Sequence, residues 1–310
     1  MIPKSKIKDL YKQGYRIVGN HSAIKVCMWT KKAIKNEDVC YKSKFYSIQT
    51  HRCVQMTPSL HVCSQRCIWC WRDIDFTRPQ WNGKIDSPEF IIEGCIKEHI
   101  RYLQGFGGNK KTNIKKYKEA QEPIHFAISL SGEPTFYPRL PELIDQLKER
   151  KITSFLVTNG TNPTMVKKLI EHQPTQLYIT LPAPNERIYE ECCRPLSRDN
   201  WKNILKSLML LKDFKRSVMR LTLVKNKNML NPKEYAELIR VSSPSFVECK
   251  AYMWVGYSRE RLKQDNMPSH TEVKEFAKKI AKYSNYIITD EKENSRVVLL
   301  VKNSKIKIKL

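Results

Sequence analysis

Three cysteines stand at intervals of four and three in Cys63-Ser-Gln-Arg-Cys67-Ile-Trp-Cys70. Thiolates this close together suit an iron–sulfur cluster. Such clusters are normally held by four cysteines, so a loop offering three leaves one iron open, and an open metal position is where a substrate or cofactor binds. Structural zinc is the competing chemistry, but it asks for four closed ligands, usually in paired C-x2–4-C units, and no second pair follows. Three more cysteines, Cys27, Cys40 and Cys53, lie upstream with twelve residues between neighbours. That spacing is too wide for a local knuckle. They reach one site only if residues 1–50 fold back over the rest of the chain, and the short connection from Cys53 to Cys63 puts the two sets within easy reach. On spacing alone, coincidental buried cysteines remain an equal reading of this second set.

The chain has 310 residues and ten cysteines. In a reducing cytoplasm clustered cysteines are metal ligands rather than disulfides. Cys95, Cys192, Cys193 and Cys249 are scattered and read as small buried hydrophobes. No apolar run approaches the eighteen or more residues of a membrane span, and the start MIPKSKIKDLYKQGY has no secretory apolar stretch, so a cytoplasmic protein without a membrane partner is expected. Fifty-six Lys and Arg against 31 Asp and Glu leave a formal charge of +25. The excess runs from Lys4 to Lys309. Heat-adapted surfaces raise Glu along with Lys, which is not the pattern here, so the expected partner is a polyanion, nucleic acid first.

Positioning such cysteines requires a scaffold. Strands are predicted near 52–57 and at His125–Leu130, Thr153–Thr158, Gln176–Leu181, Val218–Val224 and Phe246–Trp254. Helices are predicted near 88–104, 139–150, 163–172, 199–212, 232–241 and 270–283, with Asn162-Pro163, Asp199 and Asn231-Pro232 as openers. Six βα units in alternation predict an α/β fold with a parallel sheet whose function gathers at the strands' carboxyl ends. Residues 1–50 read as an N-terminal extension, 51–285 as the βα domain and 286–310 as a C-terminal β-hairpin with a basic tail. GFGGNKKT at 105–112 lacks the G-x-x-x-x-G-K-[ST] spacing and a preceding strand, so 105–119 reads as a solvated basic loop rather than a nucleotide site.

Two further motifs fall at predicted strand ends: Ser131-Gly132-Glu133-Pro134-Thr135 and Thr158-Asn159-Gly160. Each alone is a turn signal. In order behind CxxxCxxC, with the aromatic Trp69 just before Cys70, they resemble the radical S-adenosylmethionine (SAM) superfamily. That resemblance implies a partial (βα)6 TIM-type barrel and a [4Fe-4S] cluster on Cys63, Cys67 and Cys70. It also implies SAM chelated at the open iron, with Trp69, Ser131, Gly132, Glu133, Thr158 and Asn159 around the cofactor, and one-electron cleavage of SAM to a 5′-deoxyadenosyl radical.

The Cys27/Cys40/Cys53 pattern ahead of CSQRCIWCW, together with SLSGEPTFYPRLPELI, FLVTNG, CCRPLSRDNW and VECKAYMWVGYSRERL, is similar to the archaeal form of the tRNA 4-demethylwyosine synthase family. The similarity runs through nearly the whole chain. It implies a second [4Fe-4S] cluster on Cys27, Cys40 and Cys53, and a carbon–carbon lyase that condenses N1-methylguanosine-37 of tRNA-Phe with pyruvate into the tricyclic base of the wyosine pathway. Lys42 matches the lysine held to form a Schiff base with pyruvate, with Lys44 as its neighbour and competitor. The chain lacks the flavodoxin-like domain of eukaryotic members, which implies an external electron donor, and a monomer is expected. The competing readings are another radical SAM RNA-modifying enzyme, which would lack a pyruvate-dependent second cluster, and a non-catalytic Fe–S RNA-binding protein.

An anticodon-loop base must be drawn between apolar or aromatic side chains. Trp71-Arg72, Phe76-Thr77-Arg78, Trp81, Arg194 and Tyr257-Ser258-Arg259-Glu260-Arg261 interleave rings and charge in that manner, although each taken singly reads first as core or surface, and Lys110–Lys118 and Lys302–Lys309 would suit phosphate contacts.

Overall fold

The β-rich runs pair into one ten-stranded sheet in a computed structural model that describes Ile2, residues 4–302 and residues 306–310. In chain order, α1 (Lys4–Lys12) leads into a hairpin, β1 (Arg16–Val18) and β2 (Ser22–Ile24). The short helices α2 (Met28–Ile34) and α3 (Tyr41–Tyr46) precede β3 (Cys53–Thr57), which is followed by α4 (Pro88–Leu103) and α5 (Ile114–Glu119). The units β4 (His125–Ile128) with α6 (Leu140–Glu149) and β5 (Thr153–Thr158) with α7 (Pro163–Lys168) come next. After β6 (Gln176–Thr180) stand α8 (Glu186–Cys193) and α9 (Asn200–Met209). The units β7 (Ser217–Leu223) with α10 (Pro232–Ser242) and β8 (Phe246–Ala251) with α11 (His270–Ser284) complete the series. β9 (Ile287–Lys292) and β10 (Val297–Val301) end it.

Strands β3 to β8 run parallel in sequence order, the parallel sheet that the alternation predicts and the six βα units that the resemblance implies. The flanking segments join the same sheet. β2 pairs antiparallel with β3 at one edge, and the hairpin β9–β10 pairs antiparallel with β8 at the other. Helix openings follow local chemistry: Ser87 accepts from the Phe90 amide, Asn162 from Met165, Asn185 from Ile188, and Ser269 forms a capping box with Glu272. Asp199 departs from its expected role. Its side chain makes no cap bond, and α9 starts at Asn200, whose amide side chain donates to the Ser64 carbonyl. Asn231 likewise opens α10 from a left-handed backbone rather than by capping with its side chain.

Strand alternation separates two cores. The outward residues Val54, Met56, Phe126, Ile128, Leu156, Met219, Leu221 and Val247 pack under the helices. The inward residues Phe155, Tyr178, Val218, Phe246, Val297 and Leu299 form a second cluster with Tyr41, Phe45 and Tyr46. Thus α3 lies inside the concave face of the sheet and plugs it, rather than lying over the barrel. No helix among the described residues is long and apolar enough to cross a membrane.

Candidate active site

Above that plug a cavity of about 520 Å³ opens at the carboxyl ends of the strands, and all six cysteines of the two sets line it. Cys63, Cys67 and Cys70 sit on the loop after β3, whose backbone is held from several sides. Cys63 N donates to Arg78 O at 2.9 Å, Arg66 N and Ile68 N donate to the carbonyls of Cys193 and Cys192 at the end of α8 at 2.9 Å each, and Leu196 N donates to Ser64 O at 2.9 Å. Arg261 donates to the carbonyls of Ile68 and Cys70, and Tyr257 N donates to Trp71 O at 3.0 Å. The adjacent Gly256 has φ +57, and a Cβ there would stand 2.2 Å from the Trp71 carbonyl, so only glycine lets this loop press on the cysteine loop.

The second motif closes on the same loop. Gly132 has φ +70 and packs so tightly on Ser59 that a Cβ would lie 1.7 Å from its carbonyl oxygen. Glu133 is fully buried, and its carboxylate accepts from Thr135 N (3.0 Å), Thr135 Oγ1 (2.7 Å), Thr158 Oγ1 (2.5 Å) and Asn159 N (2.7 Å). Burial raises its pKa while these donors oppose the rise. Its carboxylate therefore ties the end of β4 to the end of β5, and Ser131, Gly132, Glu133, Thr158 and Asn159 all line the cavity. Asn159 reaches Cys63 Sγ at 3.6 Å. Trp69 is half-buried on the cavity wall.

Cys27 immediately precedes α2, Cys40 immediately precedes α3, and Cys53 opens β3, which brings residues far apart in sequence to one wall. Burial pushes the thiols of Cys40 up to about 11 and of Cys53 and Cys63 up to about 12, and raises Cys27 as well, against the backbone amides of Trp29 and Thr30. Metal binding is what makes such thiols thiolates. Among the described residues no three side chains converge as for a single ion. A cluster differs, because each cysteine ligates its own iron and the thiols stay apart.

The two candidate lysines part company. Lys44 is exposed and paired with Asp290 at 2.8 Å. Lys42 is buried at 7% exposure, its Nζ 4.7 Å from the Phe155 ring centroid and 4.5 Å from that of Tyr178, with no ion pair among the described residues. Burial, then the Arg220 charge, lowers its pKa. Arg220 and Lys250 also line this wall and were not singled out from the sequence. Arg220 pairs with the fully buried Glu248 at 2.9 Å. Lys250 is pushed down to about 8 by burial and by Arg220, and donates to Ser295 O at 2.8 Å. The available signal was four polar residues alternating in apolar strands: Arg220 and Thr222 in β7, Glu248 and Lys250 in β8.

Several residues proposed for RNA turn inward instead. Arg72 is buried against Cys70, Arg261 holds the cysteine loop, and Trp81 packs on His21 and Tyr137. Arg78, Arg194 and Arg259 are exposed, as are Lys110, Lys111, Lys115 and Lys118, although Lys115 and Lys118 lie on α5 rather than in a loop. In the basic tail, 303–305 fall outside the described residues, and the carbonyls of Lys307 and Ile308 accept from Arg216.

A model of the radical SAM superfamily matches residues 57–239, and one for wyosine base formation matches residues 241–302. The S-adenosyl-L-methionine-dependent tRNA 4-demethylwyosine synthase of Pyrococcus abyssi is 47% identical over 307 residues, covering 97% of this chain and 90% of the relative. The synthase of Methanocaldococcus jannaschii is 42% identical, with both chains covered completely. A solved structure of TYW1 with a lysine–pyruvate adduct bound aligns with a TM-score of 0.91 at 41% identity over the whole of both chains.

Proposed function

Because the chain belongs to the family of S-adenosyl-L-methionine-dependent tRNA 4-demethylwyosine synthases, within the radical SAM superfamily, we propose that it joins N1-methylguanosine-37 of tRNA-Phe to pyruvate. The observation that supports this most directly is the shared cavity: two cysteine triplets face it, with a buried lysine that has no ion pair among the described residues beside the second. The donor sets fit the groups the family uses. Cys63, Cys67 and Cys70 would hold one [4Fe-4S] cluster with SAM at its open iron, and Cys27, Cys40 and Cys53 a second. When bound, the first cluster and SAM would supply radical chemistry for the N-methyl group, whose C–H bond no side-chain base can deprotonate.

The chain's own residues prepare the second substrate. Lys42, favoured as the free amine by burial and by Arg220, attacks the keto carbon of pyruvate; the C–N bond forms and the keto oxygen departs as water. Arg220, paired with Glu248, offers N–H donors to a small carboxylate on this wall, and the neighbouring Lys250 leaves the wall a net positive charge. Phe155 and Tyr178 beneath Lys42 exclude water. Exposed Met253 and Val255 at the cavity border offer apolar contact to an inserted base. An external donor provides the electron, and the work takes place in the cytoplasm.

The test is an anaerobic reaction of reconstituted protein with SAM, dithionite, N1-methylguanosine-37 tRNA-Phe and ¹³C-pyruvate, read by mass spectrometry of the digested tRNA. A tricyclic nucleoside carrying pyruvate carbons is expected. Deoxyadenosine with unchanged tRNA would point to a different RNA substrate, and neither product from a protein with intact clusters would overturn the enzymatic reading.

A further inference from the structure

Two arginines line the cavity, and among the described residues only one of them pairs with a carboxylate. Arg220 is neutralised by Glu248 at 2.9 Å. Arg72, 9% exposed, sits two residues after the last cysteine of the loop. Its Nε donates to Cys70 Sγ at 3.3 Å and its Nη1 approaches Leu60 O at 3.5 Å. No carboxylate among the described residues forms an ion pair with it. Asp73 next in the chain is committed to Lys6 at 2.7 Å, and Glu133 to the donors that join β4 to β5. A buried, unpaired guanidinium is costly, and proteins retain one where another charge compensates it. Among the described residues the polar atom that meets its Nε is the Cys70 sulfur, which would carry negative charge as a cluster ligand.

We infer that Arg72 is a positioning residue that sets the reduction potential of the cluster on Cys63, Cys67 and Cys70, its fixed positive charge and N–H···S bond stabilising the reduced cluster over the oxidised one. The inference rests on the proposed assignment of that cluster. Reduction adds one negative charge to the cluster, and a cation beside a ligand sulfur favours whichever state is more negative. Hydrogen bonds to the sulfurs and local charge are among the factors by which a protein tunes these potentials. Arg72 acts on the cluster through Cys70 rather than as a ligand. Its effect is to let a donor of moderate potential reduce a cluster that otherwise resists reduction.

The test is a redox titration, followed by electron paramagnetic resonance, of reconstituted full-length wild type, Arg72→Gln and Arg72→Lys, reading the signal that SAM perturbs, with iron content measured alongside. Arg72→Gln should lower the reduced-to-oxidised ratio at a fixed potential about tenfold or more, equivalent to about 59 mV for one electron. Arg72→Lys, which keeps the charge, should stay near wild type. An unmoved potential in a loaded Arg72→Gln protein would overturn the inference, as would an Arg72→Lys protein shifted as far as Arg72→Gln. If Arg72→Gln holds no cluster, a loaded Arg72→Lys protein at the wild-type potential supports the role of charge, whereas loss from both assigns Arg72 to building the loop and ends the proposal. A wild-type protein with no SAM-sensitive signal would instead remove the cluster assignment itself.

Discussion

Replacing Glu248 by Gln should loosen the plug that carries Lys42 and Cys40. The fully buried carboxylate accepts from Tyr41 Oη at 3.0 Å, Tyr46 Oη at 2.9 Å, Arg220 Nε at 3.2 Å and Arg220 Nη2 at 2.9 Å. Both tyrosines belong to α3, so this one side chain of β8 fastens the helix to the sheet. An amide has a single oxygen, and its nitrogen would have to face one of these donors. The Arg220 charge would also lose its partner. Breaking a buried pair from one side costs about 3–5 kcal/mol. With an unfolding entropy of about 2.1 cal/mol/K per residue, a chain of 310 residues loses about 1.5 °C of Tm per kcal/mol, so a fall of about 5–8 °C is expected. The anaerobic apoprotein should be followed by calorimetry or urea unfolding, with Arg220→Met and the double variant completing a cycle. The double variant should recover most of the loss, since no unpaired charge remains. Reconstituted Glu248→Gln should also bind less iron, because Cys40 adjoins the loosened helix. A loss below about 1 kcal/mol, on the scale of an exposed pair, or a double variant as unstable as the single, would refute the reasoning.

Alanine at Cys27, Cys40 or Cys53 should lower iron and sulfide from near eight towards four per chain while sparing the SAM-sensitive signal; unchanged iron would remove the second cluster. Borohydride trapping with ¹³C-pyruvate, read by peptide mass spectrometry, should label wild type and Lys44→Met but not Lys42→Met, because Lys44 is held outside by Asp290. Lys250 releases its proton near pH 8 in the folded protein, against an ordinary 10.5. Between those values the unfolded chain binds more protons, so apoprotein stability should rise with pH across the window, by at most about 3 kcal/mol, and Lys250→Met should flatten the rise in denaturation curves. Binding of tRNA should weaken steeply with salt, and alanine at exposed Lys110 or Lys111 should each reduce the log–log slope by about one if the residue meets a phosphate.

Cysteine spacing, charge and the alternation of strand with helix are local or additive properties, and a linear reading captures them. The six parallel strands appear within a few residues of their predicted positions because β-rich runs between capped helices leave little choice of element. Helix α8 was not anticipated. Its eight residues are too short to establish a period, although the carbonyls at its end brace the cysteine loop. The fate of 105–119 was read only in part, since composition suggests solvation and cannot specify the single turn of helix at 114–119.

What no one-dimensional pattern contains is which face of a side chain meets which distant neighbour. Lys42 and Lys44 are two residues apart with the same chemistry, yet one lies over Phe155 and Tyr178 and the other pairs with Asp290, because α3 enters the concave face of the sheet with one side only. Arg72 and Arg261 resembled RNA contacts by composition, and folding turned them onto the cysteine loop. Glu248 and Arg220 are 28 residues apart, and they meet because their strands pair in register. The sequence by itself determined the family and the scaffold, and it supplies the cysteine spacing on which the proposed clusters rest, since these depend on residue type and spacing. The tertiary structure alone decided which charges are buried together and which lysine faces the cavity, because burial and pairing arise only when separate strands close around one space.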